Sequence, residues 1–225
     1  MYPIKVINAQ TVKIDIKEAL RYMGYGKADA DESTLCLSEN IKEELHKIII
    51  PKACFIKVPV RIENNEVNLD FLKTKSTSLS KNLYDCNEAI VFCATIGIEV
   101  DRLILKYEQL SSSKAVIADA LASAAIESWC DEINMRFCKE EQKKNLYLKP
   151  RFSCGYGDFD ISCQKDILNI LDSARKIGVN LSQGSMMIPT KSVSAVIGIT
   201  SKMQNEVQGC NACENKENCL YKKAE

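Results

Sequence analysis

Apolar residues along this chain switch between the two-residue spacing of strands and the helical spacing of three and four, and the switches mark the elements. IKEALRYMG predicts a short helix stopped at Gly24. STLCLSENIKEELHKII predicts a longer one, capped by Asp31 or Ser33 and closed by Pro51. ACFIKVPVRI, the turn NN and EVNLDFL alternate as a β-hairpin, with Pro59 favouring an edge position or a bulge. SLSKNLYDC is a short helix, and the almost wholly apolar EAIVFCATIG is a buried strand ended by Gly97. The longest helical stretch follows, IGIEVDRLILKYEQL and then SSSKAVIADALASAAIESWCDEINMRFCKEEQKK, with apolar residues at 118, 121, 122, 125, 126, 129 and 133 on a helical period. Pro150 and two glycines make LYLKPRFSCGYGDFD extended and irregular. ISCQKDILNILDSARKIG reads as one amphipathic helix ended by Gly178, and NLSQGSMMIPTKSVSAVIGIT as two strands joined through Pro189.

Long helices beside strands that do not alternate regularly with them predict an α+β fold, with one mostly antiparallel or mixed sheet flanked by helices. The expected organisation is one unit over residues 1–205 and a cysteine-rich tail over 206–225.

Composition narrows the function classes. The 225 residues are 46% hydrophobic and 27% charged, ordinary for a globular protein. Thirty basic residues balance thirty acidic ones, so no basic field argues for nucleic acid. No apolar run approaches the roughly 20 residues a membrane span needs, and the first twenty residues lack a secretory pattern, so cytoplasm is the expected compartment. One histidine, His46, excludes multi-histidine metal centres and is expected at the surface near a helix end. Among eleven cysteines, Cys36 and Cys93 sit in apolar stretches that predict core packing.

Two segments carry candidate chemistry. Asp119, Ser123 and Glu127 are four apart and share one stripe of a helix whose Ala118, Ala120, Ala122, Ala124 and Ala125 leave its surface low. That pattern suits close approach of a ligand; it equally suits a helix packed tightly on a sheet with a solvated acidic face. The second segment runs from Arg151 to Asp158. An arginine can hold a carboxylate through two hydrogen bonds, glycines expose main-chain groups, and a tyrosine offers a ring and a hydroxyl. An acidic helix for a cation, an arginine for a carboxylate and open backbone for a purine together suit an amino-acid nucleoside. A glycine-rich loop tied down by an arginine ion pair would look the same.

IADALASAAIESWCDEI, RFSCGY, a helix to IGVNL and SMMIPTKSVSAVIGI occur in the order found in the activation domain of cobalamin-dependent methionine synthase. The chain resembles that family, most of all its small stand-alone forms, over residues 118–200, and more loosely over 1–117 through LRYMGYG and ATIGIEVD. The resemblance implies an accessory subunit that binds S-adenosylmethionine for reductive remethylation of cob(II)alamin carried by a partner methionine synthase, with an electron donor such as flavodoxin. The protein's share would be positioning, with no acid–base residue. Arg151 would take the ligand carboxylate, Gly155 and Tyr156 would meet the nucleoside, and Cys154 stands where the family commonly has proline. Ser123 stands where the full-length enzyme has a ligand-binding glutamate, so the acidic contact passes to Glu127 or Asp119 or is lost. Losing one charged hydrogen bond would cost about 1.5–3 kcal/mol. His46 lacks the Asp-x-His-x-x-Gly setting of a cobalamin-binding module, so cobalamin is expected on the partner only.

Cys210, Cys213 and Cys219 are spaced to grip a soft metal, with Cys154 or Cys163 as a possible fourth ligand. An iron–sulfur cluster, a zinc clip and a reduced flexible tail all fit. Two alternatives to the leading reading follow: a cysteine-metal redox protein serving corrinoid proteins, and a docking scaffold that has lost ligand binding.

Overall fold

The computed structural model describes residues 2–25 and 30–202. The first half of the chain forms β1 (Lys5–Asn8), α1 (Ile16–Tyr22), α2 (Glu32–Ile48), β2 (Lys52–Pro59), β3 (Arg61–Glu63), β4 (Glu66–Asn68), β5 (Lys73–Lys75), α3 (Thr77–Asn82), β6 (Glu88–Thr95) and α4 (Ile98–Leu110). The second half forms α5 (Ser112–Gln142), β7 (Tyr147–Leu148), α6 (Gln164–Ile170), α7 (Ser173–Ile177), β8 (Asn180–Leu181), β9 (Met187–Ile188) and β10 (Ser192–Thr200). The Cys210, Cys213 and Cys219 segment lies outside the described residues.

The main sheet is antiparallel throughout, in the order β1-β2-β6-β10-β7. Its central strand β6 is buried from Ala89 to Thr95. Helices cover one face and smaller elements the other, so both faces of β6 are apolar. Alternate residues sort between two cores. Phe55, Ile90, Phe92, Ala94, Ala195 and Ile197 face α1, α2, α4 and α5. Cys54, Ile56, Val91, Cys93 and Val196 face α3, α6, α7 and the β3-β4-β5 sheet. This is the α+β architecture the pattern predicts.

Helix boundaries follow their caps. The Asp15 carboxylate accepts from the Lys17 and Glu18 amides at the start of α1, and Asp31 accepts from Thr34 N at the start of α2. The 31 residues of α5 span roughly 46 Å at 1.5 Å per residue. All seven of its predicted apolar positions, from Ala118 to Ile133, are buried.

Several local expectations are corrected. The first hairpin strand divides at Val60, whose N–H donates to Asn87 O; β2 stays in the main sheet, and β3 turns through Asn64 and Asn65 into β4 of a separate sheet. Both asparagines have positive φ, 49° and 64°, as a tight hairpin turn requires. Pro59 ends β2 opposite Glu88, beyond the four residues paired with β1, so its missing N–H interrupts no ladder. The helix expected through 161–178 is a 3₁₀ turn (Ile161–Cys163) followed by α6 and α7. The break falls at Asp172, which adopts φ 47°, a left-handed conformation that short polar side chains tolerate. Cys36 is exposed on α2 while Cys93 is buried; α2 buries only Ser38, Ile41 and Leu45, so an apolar residue off that face stays exposed. His46 is exposed, as expected.

Candidate functional site

A cleft of about 750 Å³ opens between the end of α1, α4, the small-residue face of α5 and the Thr190–Val193 segment entering β10. Ala115 and Ala120 line it because nothing larger stands there to fill the space. Asp119, Ser123 and Glu127 all face it, so the stripe inferred from their spacing is one wall of a cavity. Tyr22 and Glu108 line it as well. Burial, then the carboxylates of Glu18 and Glu127, push the Tyr22 phenol up to about 12, so it remains a hydrogen-bond donor at neutral pH.

The Thr190–Val193 segment is firmly held. Thr190 donates from N and Oγ1 to the Asp101 carboxylate of α4, both at 2.8 Å. The Lys191 carbonyl accepts from Ile96 N at 3.3 Å, and Ser192 Oγ donates to Pro189 O at 2.7 Å. This places the Lys191 ammonium inside the cleft, where it meets Asp119 Oδ1 at 2.7 Å and donates to Ser123 Oγ at 3.0 Å. Ser123 Oγ in turn donates to the Asp119 carbonyl at 2.9 Å.

Arg151 lies at the Glu127 end. Its neighbour Phe152 bridges to Val196 and packs toward the second core, so the alternating backbone turns Arg151 toward α5. Arg151 Nη2 donates to Glu127 Oε2 at 3.2 Å and to Asp131 Oδ1 at 2.8 Å. Its Nη1 is buried without a hydrogen-bond partner. The thiol of Cys130 beside it is pushed up to about 12 by burial, opposed by the Arg151 charge.

The glycine loop lies elsewhere. Cys154 is buried in the core behind the sheet, its thiol pushed up to about 12 by burial. Gly155 has φ 88°, and Tyr156 is 68% exposed; neither lines the cleft. A Cβ on Gly157 would stand 2.5 Å from Ser78 Oγ, so this glycine permits close packing on α3. Asp158 fastens the same contact, accepting from Ser76 Oγ at 2.6 Å, Thr77 N at 2.7 Å and Ser78 N at 2.9 Å. These bonds hold its carboxyl well below the usual carboxylate range.

The structure thus brings Asp119, Ser123 and Glu127 to one wall of the cleft, pairs Arg151 with Glu127 outside the cleft lining, and sets Cys154, Gly155 and Tyr156 apart from it. Lys191, Tyr22 and Glu108 were missed in the sequence. Lys191 and Tyr22 carried a signal, because they fall inside MIPTKSVS and LRYMGYG; Glu108 carried none. Among the described residues, no group of three or more histidine, cysteine, aspartate or glutamate side chains could hold a metal ion, and no helix is long and apolar enough to cross a membrane.

A family model described as the activation domain of vitamin B12 dependent methionine synthase matches residues 27–217, covering most of the looser N-terminal half as well as the clear motifs. Among solved structures, the chain is similar to one titled as the MetH reactivation domain bound to AdoHcy, with a TM-score of 0.62 and 15% identity over 91% of this chain and 81% of that one. At that identity the likeness speaks for the fold. No curated protein matches. The match across the chain, on an antiparallel sheet backed by an alanine-rich helix, shows that this protein belongs to the family of vitamin B12-dependent methionine synthase activation domains.

Proposed function

We propose that this protein binds S-adenosylmethionine in the α5 cleft and serves the reactivation of a cobalamin-carrying methionine synthase. The observation that carries the reading is the cleft itself, lined by Ala115 and Ala120 and walled by Glu108, Asp119 and Glu127, the last of which pairs with Arg151. The donor set suits the ligand. Asp119, Glu127 and Glu108 favour a sulfonium cation, the low alanine surface accepts a flat purine, and Tyr22 offers a ring and a donor hydroxyl. Arg151, which meets Glu127 beside the cleft, is assigned the carboxylate. The similar reactivation domain was solved with AdoHcy, the thioether left when S-adenosylmethionine gives up its methyl group.

Bound there, the ligand supplies an electrophilic methyl group; the protein's residues bind and orient it. Cobalamin belongs to the partner in this reading, and an electron donor such as flavodoxin belongs to the same cytoplasmic system. Residues 1–205 act as the binding unit and 206–225 as an appended tail whose cysteines take zinc or an iron–sulfur cluster. Cys154, Gly155 and Tyr156 reach the ligand only if the loop after Arg151 moves toward α5.

Isothermal titration of the full chain with S-adenosylmethionine tests the reading. Binding is expected, and Arg151→Ala should weaken it roughly ten- to a hundredfold, the loss of one charged hydrogen bond. No heat from folded wild-type protein overturns the reading. That result would favour the docking scaffold, which is supported by the existing pairing of Arg151 with Glu127 and Asp131.

A further inference from the structure

Lys191 is the one cation lining the cleft among the described residues, against the carboxylates Glu108, Asp119 and Glu127. It is fixed in place: its backbone is bonded through Ile96, Thr190 is bonded to Asp101, and its ammonium is shared between Asp119 and Ser123. The side chain is 14% exposed while that of Asp119 is 56% exposed, so the cation sits beneath the carboxylate it neutralises. An ammonium 2.7 Å from Asp119 removes most of the attraction that carboxylate would exert on a positive ligand.

We propose that Lys191 sets the charge of the cleft by masking Asp119, and so limits how strongly the protein prefers a sulfonium nucleoside over the corresponding neutral thioether. The inference rests on the nucleoside-binding reading above and concerns specificity within that site. A methyl donor loses its positive charge when it reacts. A cleft that held the sulfonium too tightly would stabilise the ligand before transfer more than after it. Lys191 is therefore a positioning residue. It tempers the preference while holding Asp119 and Ser123 in place.

The test uses the full chain and the ratio of affinities for S-adenosylmethionine and S-adenosylhomocysteine. Both carry the same adenosine, amino and carboxylate groups and differ only in the sulfur's methyl group and its charge, so a change in the ratio on removing a charged side chain reports the sulfonium charge. Lys191→Met should raise the preference for the sulfonium roughly fivefold, the size expected of one charge several ångströms away in a solvent-open cleft. Asp119→Asn should lower it by a similar factor, and the double variant should return near the wild-type ratio. A purely structural role would change both affinities together and leave the ratio fixed in all three variants. That outcome, or a shift of the same sign in both single variants, overturns the proposal. If Lys191→Met fails to fold, Asp119→Asn and Lys191→Gln carry the same test. Wild-type protein that binds neither nucleoside instead removes the binding reading, and this inference with it.

Discussion

The two halves of α5 solve different problems on one helix. From Ala115 to Glu127 the helix carries six alanines; four are packed in the core, and Ala115 and Ala120 border a cleft walled by charged groups. From Trp129 to Glu141 the same face carries Trp129, Ile133 and Phe137, all at 2% exposure or less. Phe137 meets Phe55 edge-on with centroids 4.7 Å apart and Phe92 at 6.3 Å. Trp129 closes its one polar atom onto Lys52 O at 3.2 Å. Charge follows the same division. Glu141, 1% exposed, is paired with Lys57 and Lys144, whereas the Asp119 and Glu127 side chains, 56% and 43% exposed, stand at the cleft wall. Side-chain volume decides which half of this helix packs solidly into the core and which borders a cleft.

The comparison breaks most visibly at its large end. Phe137→Ala should cost about 3–5 kcal/mol, read by denaturant unfolding, because the surrounding rings cannot collapse into the hole. A loss under about 1 kcal/mol would show that the second half is not the stabilising one. Glu141→Gln should cost less, about 1–3 kcal/mol, by leaving two ammonium groups poorly paired. It should also change the acid response. Burial pushes the Glu141 carboxyl up, but Lys57 and Lys144 outweigh that and hold it below its ordinary value. A depressed folded-state value means that this stabilisation is present above the usual glutamate range and drains away as pH falls through the lowered one. The Gln variant should therefore lose less stability on acidification than wild type. The smallest stability effect belongs to Ala120→Leu, about 1 kcal/mol or less, because the added carbons enter open space. The same change should abolish nucleoside binding by titration, separating the two halves in a single variant.

Much of this fold was legible as a pattern. The strand at EAIVFCATIG, the capped helix after Asp31 and the period of α5 all come from local spacing, which a helix or strand imposes wherever it forms. Less legible were the division of the first hairpin strand at Val60 and the break at Asp172. Each depends on which sheet or core the next residues join, and no local spacing encodes that. Cys36 shows the same limit, since an apolar neighbourhood in sequence says nothing about which helix face meets the core.

For the site, the sequence alone determined the acidic stripe of Asp119, Ser123 and Glu127, the small surface around it and the family to which the motifs belong. Only the tertiary structure decided that Lys191, almost seventy residues later, would neutralise that stripe. It also decided that Arg151 would turn toward α5 while Cys154, three residues on, turned into the opposite core. The physical reason is that spacing fixes which side chains share a face of one element. Charge balance and cavity shape arise between elements, where packing across the sheet sets the distances.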